Sequence, residues 1–562
     1  MLLSSPRVLL LLVPLLATSA GAEGPAPARD SGAQVDRVFS QFAKPGSPGC
    51  AVGVALSGQP VLERAYGLAH LEHDLPNTPG TVFEAGSVSK QFTTAAVLLL
   101  AQEGKLSLDD SVRRHIPELP DYGAPLTVRH LIHHTSGLRD WGTVVAAAGW
   151  PRGSRIHTHA HVLDVVGRQK ALNFPPGSEY LYSNTGYNLL AILVERVSGQ
   201  SFAAFSRERL FAPLGLTRTA WRDDFTRVVK GRATAYTTEE DGFHAQMPFE
   251  NVHGNGGLLT TVGDLLRWNE ALFQGKVGGP GFLEAMQRQG QLTGGRKLQY
   301  AGGLFMTAYR GVPEVSHAGA TAGYRAFLSR YPKQGLSVAV LCNLAEANPV
   351  KLAHEVADVF LAGQLSAAPE QKTVTLPAEV LAARAGLYRD TRTGEPLEVR
   401  VREGRLELGS GSVLSPFSEK LFLVGDGPEQ LSFELGRDGR PTAMKLLLPD
   451  GDVMPLVPVA PVKPDAAKLS EYGGSYVSDE AEVTYTVESG KDGLVLRRRP
   501  DAEFPLQPAY ADVFKAPELG LVRFVRDASG RVEALSLGLG RVRDLRLARV
   551  PAASAPTAVD RK

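Results

Sequence analysis

Apolar residues recur along this chain with two different periods, and the change between them divides it. Val35, Val38, Phe39 and Phe42 follow the three-to-four spacing of an amphipathic helix. Two strand-like runs come next, Cys50 to Leu56 and 61–66, joined at Ser57-Gly58-Gln59-Pro60, a hairpin-like turn. Residues 83–104, FEAGSVSKQFTTAAVLLLAQEG, predict a helix that is apolar nearly all round, through Phe92, Ala95, Ala96, Leu98, Leu99 and Leu100. Such a helix belongs inside a domain core. Helical and loop segments continue to about 275, and strand patterns return at 300–309, 313–317, 324–331 and 336–342. A closing helix is expected over 349–363. Strands at both ends of a helical middle predict an α/β (α+β layered) fold whose first and last segments share one central antiparallel sheet.

Beyond 364 the pattern becomes short alternating runs between Gly/Asp turns, without long helices. It also repeats. Gly386-Leu387-Tyr388 returns as Gly474-Ser475-Tyr476, the run LEVRV from Leu397 as VTYTV from Val483, and Phe433 with Gly439-Arg440 as Phe524 with Gly530-Arg531. A repeat of roughly 90 residues made of many short strands predicts two small antiparallel β-barrels. The expected organisation is a signal peptide (1–22), a flexible lead (23–33), a catalytic domain (34–365), a linker (366–375), a first barrel (376–458), a second linker (459–468), a second barrel (469–550) and a disordered tail (551–562).

Residues 1–22 carry Arg7, a short apolar run from Val8 to Ala17 and the small residues Ala20-Gly21-Ala22, the layout of a secretory signal. The run is too short to span a bilayer, so a secreted or periplasmic protein with no membrane span after cleavage is expected. The formal net charge of +1 with well-mixed charges leaves no footprint for nucleic acid or an anionic membrane. Two cysteines exclude a disulfide scaffold and a zinc-cysteine site. Cys50 and Cys342 both lie in strand-like stretches; export would allow them to pair, two buried thiols are the other reading, and spacing does not decide.

The candidate chemistry lies in three places. At the mouth of the apolar helix Ser87 precedes Lys90 by three residues, so the amine can reach the hydroxyl on one helix face, with the helix N-terminus favouring negative charge there. After the Pro175-Pro176-Gly177 turn, Tyr182-Ser183-Asn184 is expected in a loop ahead of a helix from Tyr187 to Val197. Tyr182 can carry a proton if a nearby cation, Lys90, lowers its pKa, and Asn184 offers an amide to orient lysine and substrate. Third, His317-Ala318-Gly319 is expected to end a strand, with Ala320 as the candidate backbone donor to a substrate oxygen. His157, His159 and His161 are expected to be solvated, with no acidic or histidine partners to complete a metal site. The surrounding segment, 139–175 with Trp141 and Trp150, is expected at the pocket rim.

The order Ser-Val-Ser-Lys, Tyr-Ser-Asn, His-Ala-Gly, with HHTSGL (133–138) and GNGGLLTTVGDLLRW (254–268) as accessory segments, resembles the serine β-lactamase-related family over about residues 33–363. That family holds class C β-lactamases, penicillin-binding D,D-peptidases, D-aminopeptidases and related esterases. A catalytic domain followed by two barrels resembles its D-aminopeptidase branch, where the extra domains help shape the substrate pocket. The resemblance implies Ser87 as acylated nucleophile, Lys90 as its base, Tyr182 as proton carrier to the leaving group, Asn184 as orienting amide, and the N–H groups of Ser87 and Ala320 as the oxyanion hole. It also implies catalysis without metal or organic cofactor.

His317 stands where the lactamases carry a lysine. A largely neutral imidazole there weakens readings that need a substrate carboxylate and favours small amides, D-amino-acid peptides or esters. A small-molecule or peptide substrate is therefore expected. A β-lactamase or penicillin-binding D,D-peptidase is the alternative within the class, and a non-catalytic scaffold that has kept the fold is the alternative outside it. The oligomeric state is left open.

Overall fold

The computed structural model describes residues 30–366, 373–425, 427, 429–448, 451–490 and 493–551. The expected signal peptide, most of the first linker and nearly all of the tail lie outside the described residues. A first helix, α1 (Ser31–Val38), leads into β1 (Cys50–Leu56) and β2 (Gln59–Tyr66). The apolar helix is α2 (Lys90–Gln102), followed by α3 (Asn184–Ser198) and α4 (Val262–Phe273). The chain then returns through β3 (Phe305–Tyr309), β4 (Val312–Thr321), β5 (Tyr324–Tyr331) and β6 (Leu336–Cys342), and α5 (Pro349–Phe360) closes the layer. These strands form one antiparallel sheet in the order β3-β4-β5-β6-β1-β2, so the two ends of the domain share a sheet.

Both faces of β1 are covered, which explains why its buried residues are small on one side and branched on the other. Cys50, Val52 and Val54 pack with Val35 and Phe39 of the α1 segment and with Leu352 and Val356 of α5. Ala51 and Ala55 face the core that includes Val262, Leu265 and Leu266 of α4. Between them a Cβ on Gly53 would meet Leu266 Cδ1 at 2.9 Å, so glycine sets how closely α4 approaches the sheet. The register pairs Cys50 directly with Cys342, and the two sulfurs are bonded. Antiparallel neighbours with both side chains on one face decide the question that spacing left open.

Several expected boundaries shift. The strand expected at 313–317 runs to Thr321, so Gly319 and Ala320 sit within β4 rather than past its end. The strand expected to begin at 300 begins at Phe305, and short strand pairs such as Phe83–Glu84 with Leu258–Thr260 interrupt the helical middle.

The C-terminal strands close into two eight-stranded antiparallel barrels, Gly386–Asp390 through Val453–Val459 and Gly474–Ser478 through Leu545–Arg549. The repeated tyrosines are equivalent in space as well: Tyr388 and Tyr476 each donate to the carbonyl four residues earlier, of Arg384 and Tyr472. The second barrel docks on the catalytic layer through the buried Arg139–Glu480 pair at 2.7 Å and the Tyr485 hydroxyl on the Ala147 carbonyl at 2.7 Å. The first barrel is tied by Arg296 to Asp452 at 2.8 Å.

Candidate active site

A single 3₁₀ turn, Gly86–Ser89, lifts Ser87 in front of α2. Gly86 takes φ +50°, a region that favours glycine, and a Cβ there would meet the Ala320 nitrogen at 2.6 Å. From the opposite side a Cβ on Gly319 would lie 2.0 Å from the Ala85 carbonyl oxygen and 3.0 Å from the Ser87 nitrogen. Two bare backbones thus bring the N–H groups of Ser87 and Ala320 to one place. The last pair between β3 and β4 is Phe305 with Ser316, so this edge of β4 is past its neighbour where it faces Ser87.

Lys90 is fully buried at the start of α2. Its Nζ reaches Ser87 Oγ at 3.2 Å, Asn184 Oδ1 at 3.0 Å and the Asn255 carbonyl at 2.7 Å. The loop that supplies Asn255 is held in turn: Thr93 bonds the Gly254 carbonyl at 2.7 Å, and Asn188 bonds Asn255 Oδ1 at 2.7 Å. Burial lowers the Lys90 amine well below its ordinary range, and the Arg541 guanidinium pushes it further the same way. An amine held neutral can accept a proton from Ser87.

Tyr182 lies beside this pair, with Lys90 Nζ 4.8 Å from its ring centroid and Ser87 as hydrogen-bond partner of its phenol. Its pKa is raised by burial; the Ser87 hydrogen bond and the Arg541 charge offset only part of that. This corrects the expectation that a cation would lower it. Loss of hydration at this half-buried ring disfavours the charged phenolate by more than the nearby cations favour it. Tyr182 therefore stands as a neutral phenol, able to donate a proton. Under it lies His134 of the HHTSGL segment, 4.2 Å between ring centroids, with Nδ1 accepting the Ser183 N–H at 3.2 Å. Asn184, expected in a loop, is the first residue of α3; Asp140 Oδ2 accepts its N–H at 2.8 Å and so orients the helix start.

His317 is buried on β4, with Nδ1 at 2.6 Å from the Ala318 carbonyl and Nε2 at 3.2 Å from the Tyr300 hydroxyl. Burial first, and Lys90 second, push it down to about 3. It is a neutral imidazole, as the residue type led one to expect. Next to Ala320 opens a cleft of about 760 Å³, lined among others by Arg152, Phe249, Thr321 and Arg325.

The family profile described as Beta-lactamase matches residues 35–361. The chain belongs to this family. It is a beta-lactamase-family hydrolase, and its D-aminopeptidase relatives match over most of the chain, barrels included. It is 27% identical over 529 residues to a D-aminopeptidase of Brucella ovis, which spans 90% of this chain and 96% of that protein. It is 26% identical to penicillin-binding protein 4* of Bacillus subtilis, over 68% of this chain and 89% of the relative. Among solved structures, the octameric penicillin-binding protein homologue from Pyrococcus abyssi superposes with a TM-score of 0.55 at 23% identity, over 76% of this chain and all of the other. The D-amino acid amidase from Ochrobactrum anthropi SV3 gives 0.52 at 22%, over 60% and 99%. These superpositions show the shared fold.

In this hydrolase none of the three histidines His157, His159 and His161 is fully solvated, the last two being half-buried. His157 is fully buried, and His159 lies in a group with Glu195 and His253 whose ligating atoms are all within 4.8 Å of one another. Those two partners come from α3 and from the loop before α4, which is why no local pattern announced them. Some of their polar atoms have protein partners: His159 Nε2 is 3.1 Å from the His253 carbonyl, and Glu195 accepts the Phe202 N–H at 3.1 Å, whereas His253 Nε2 is buried without one among the described residues. Trp141, expected at the rim, is fully buried and donates to Asn188 at 2.9 Å, whereas Trp150 is exposed. The residues that sequence reasoning missed are His134, Asp140, Asn255 and Arg541. The first three lie in or beside segments already marked by the motif, but Arg541 carries no local signal.

Proposed function

We propose that this hydrolase acts through an acyl-enzyme on Ser87 and cleaves small amides, D-amino-acid peptides or esters. The observation that carries the reading is the buried Lys90 amine, 3.2 Å from the Ser87 hydroxyl and held well below its ordinary pKa. Neutral Lys90 takes the Ser87 proton as Oγ bonds to the substrate carbonyl carbon. The oxyanion that forms is received by the N–H groups of Ser87 and Ala320, where a preorganised donor stabilises the transition state by about 2.7–4 kcal/mol. Collapse breaks the carbon–nitrogen bond, and the leaving amine takes the proton from Lys90 through the Tyr182 phenol. Water then adds to the acyl group, gives its proton back along the same relay, and Ser87 is restored. Asn184 and the Asn255 carbonyl hold Lys90 in line throughout.

The D-aminopeptidase and D-amino acid amidase names among the relatives support the amide reading. Export is part of the proposal: the leader at 1–22 and the bonded Cys50–Cys342 pair both suit an oxidising compartment. Intact-mass measurement of the mature protein with D-alanine p-nitroanilide, a penicillin and a short-chain p-nitrophenyl ester tests it. A Ser87-dependent adduct or turnover with the anilide is expected. Turnover confined to the ester would replace the amide reading with an esterase, and rapid penicillin hydrolysis would replace it with a β-lactamase.

A further inference from the structure

The catalytic layer lacks the fixed cation that a lysine at 317 would supply, yet a fixed cation stands at the site. It comes from the second barrel. The loop between strands Val532–Gly538 and Leu545–Arg549 reaches over the Tyr182 ring, and Arg541 at its tip places its guanidinium carbon 5.0 Å from the ring centroid. The loop is clamped by its backbone. The Arg541 carbonyl accepts from Asn173 Nδ2 at 3.0 Å and faces the Asp140 N–H at 3.4 Å. On the next residues the Arg139 guanidinium bonds the carbonyls of Arg543, at 3.0 Å, and Asp544, at 3.1 Å, and the Arg543 N–H donates to Asn173 Oδ1 at 2.7 Å. Within the loop Val542 is fully buried.

The side chain, by contrast, is left available. It is 44% exposed, and its single ion-pair contact among the described residues is a loose one, 4.0 Å from Asp140 Oδ2. That carboxylate is occupied elsewhere, by the Asn184 N–H at 2.8 Å and by the Thr143 N–H and hydroxyl at 3.2 and 3.3 Å. A rigid backbone carrying an exposed guanidinium, with its planar fork of donors unspent, is the arrangement that recognises a carboxylate by two parallel hydrogen bonds. Its place matters as much as its charge. Arg541 lies on the Tyr182 side of Ser87, where the proposed mechanism delivers a proton to the departing amine.

We infer that Arg541 is a carboxylate subsite for the leaving group, so that the preferred substrates are acylated D-residues or peptides whose departing amino acid has a free C-terminal carboxylate. This rests on the acyl-enzyme reading of Ser87. It revises the inference drawn from His317 alone: the imidazole removes the cation from β4, and the barrel loop restores one from the other side of the tyrosine. The second barrel then takes part in substrate selection, and carboxylate recognition depends on its docking.

The test uses the full chain and two phosphonate monoesters that share one D-alanine-derived acyl portion. In one probe the departing alcohol carries a free carboxylate; in the other that carboxylate is methyl-esterified. The rate of Ser87 labelling is followed by intact mass for the natural sequence, Arg541→Ala, Arg541→Lys and Ser87→Ala. A ratio of about 10 to 100 in favour of the carboxylate probe is expected for the natural sequence, the range of one charge-assisted hydrogen-bond pair. It should collapse toward one in Arg541→Ala and survive in part in Arg541→Lys. A natural-sequence ratio of one or below, or a ratio that Arg541→Ala leaves in place, overturns the subsite while leaving the serine hydrolase standing. No labelling of Ser87 by either probe overturns the acyl-enzyme reading and the subsite with it.

Discussion

Gly319→Ala is the sharpest test of the oxyanion site, because its effect follows from one distance. The added methyl carbon would sit 2.0 Å from the Ala85 carbonyl oxygen. A Cβ essentially never comes within 3.0 Å of another heavy atom, so β4 and the Ser87 turn must separate by about 1 Å. Both contacting atoms belong to backbone, so no side chain can swing away. Displacing one oxyanion donor costs about 2.7–4 kcal/mol, a loss of about 100- to 1,000-fold in acylation rate. The assay is single-turnover acylation of Ser87 by an activated ester, normalised to folded protein by circular dichroism. Gly53→Ala serves as the comparison. Its Cβ meets the end of a flexible side chain, Leu266 Cδ1, at 2.9 Å, in the same sheet but on the α4 face. It should lose about 1–3 kcal/mol of stability and keep its acylation rate within about threefold. Normal acylation in Gly319→Ala, or equal losses in both variants, would refute the assignment of Ala320 and Ser87 as the paired donors.

Three further expectations concern pH, redox state and docking. Lys90 must be unprotonated to accept the Ser87 proton, and its pKa is depressed by burial; acylation should therefore rise with pH to a plateau reached well below the usual lysine range, and fall as acid protonates it. Lys90→Arg should lose about 100- to 10,000-fold in rate, and His317→Gln should leave the inflections of a pH 5–9 profile in place, since His317 titrates near 3. Replacing Cys50 and Cys342 by alanine should cost about 2–4 kcal/mol and abolish the effect of reductant on the melting temperature. Arg139→Ala strands the buried Glu480 carboxylate, a loss of about 3–5 kcal/mol; limited proteolysis should then release the second barrel sooner, while Arg139→Lys should fall between the two.

The site was legible as far as its residues lie in short patterned segments. Ser87 and Lys90 are three apart on one turn, and the helix behind them is buried through Leu100 because Phe92 and residues 95–100 are apolar and Lys90, Gln91 and Thr93 find hydrogen-bond partners. Tyr182, Asn184 and His317 were found by their order along the chain, and the structure brings all of them around Lys90. What each does there was less legible. The fate of the Tyr182 proton depends on how far its surroundings exclude water, and that is set by His134 and Tyr300 packed against its ring, with Tyr187 behind His134.

By itself the sequence determined the strand-like runs that become β1 to β6, the apolar α2, the repeat that becomes two barrels, and the serine beside its lysine. These follow from side-chain periodicity and chain sterics over a few residues, which act wherever the segment finds itself. The tertiary structure alone decided that Cys50 meets Cys342, that His159 meets Glu195 and His253, and that Arg541 stands over Tyr182. Each of these joins segments tens to hundreds of residues apart. Their proximity is fixed by strand register and by the docking of one packed layer on another, quantities that no local pattern in the chain encodes.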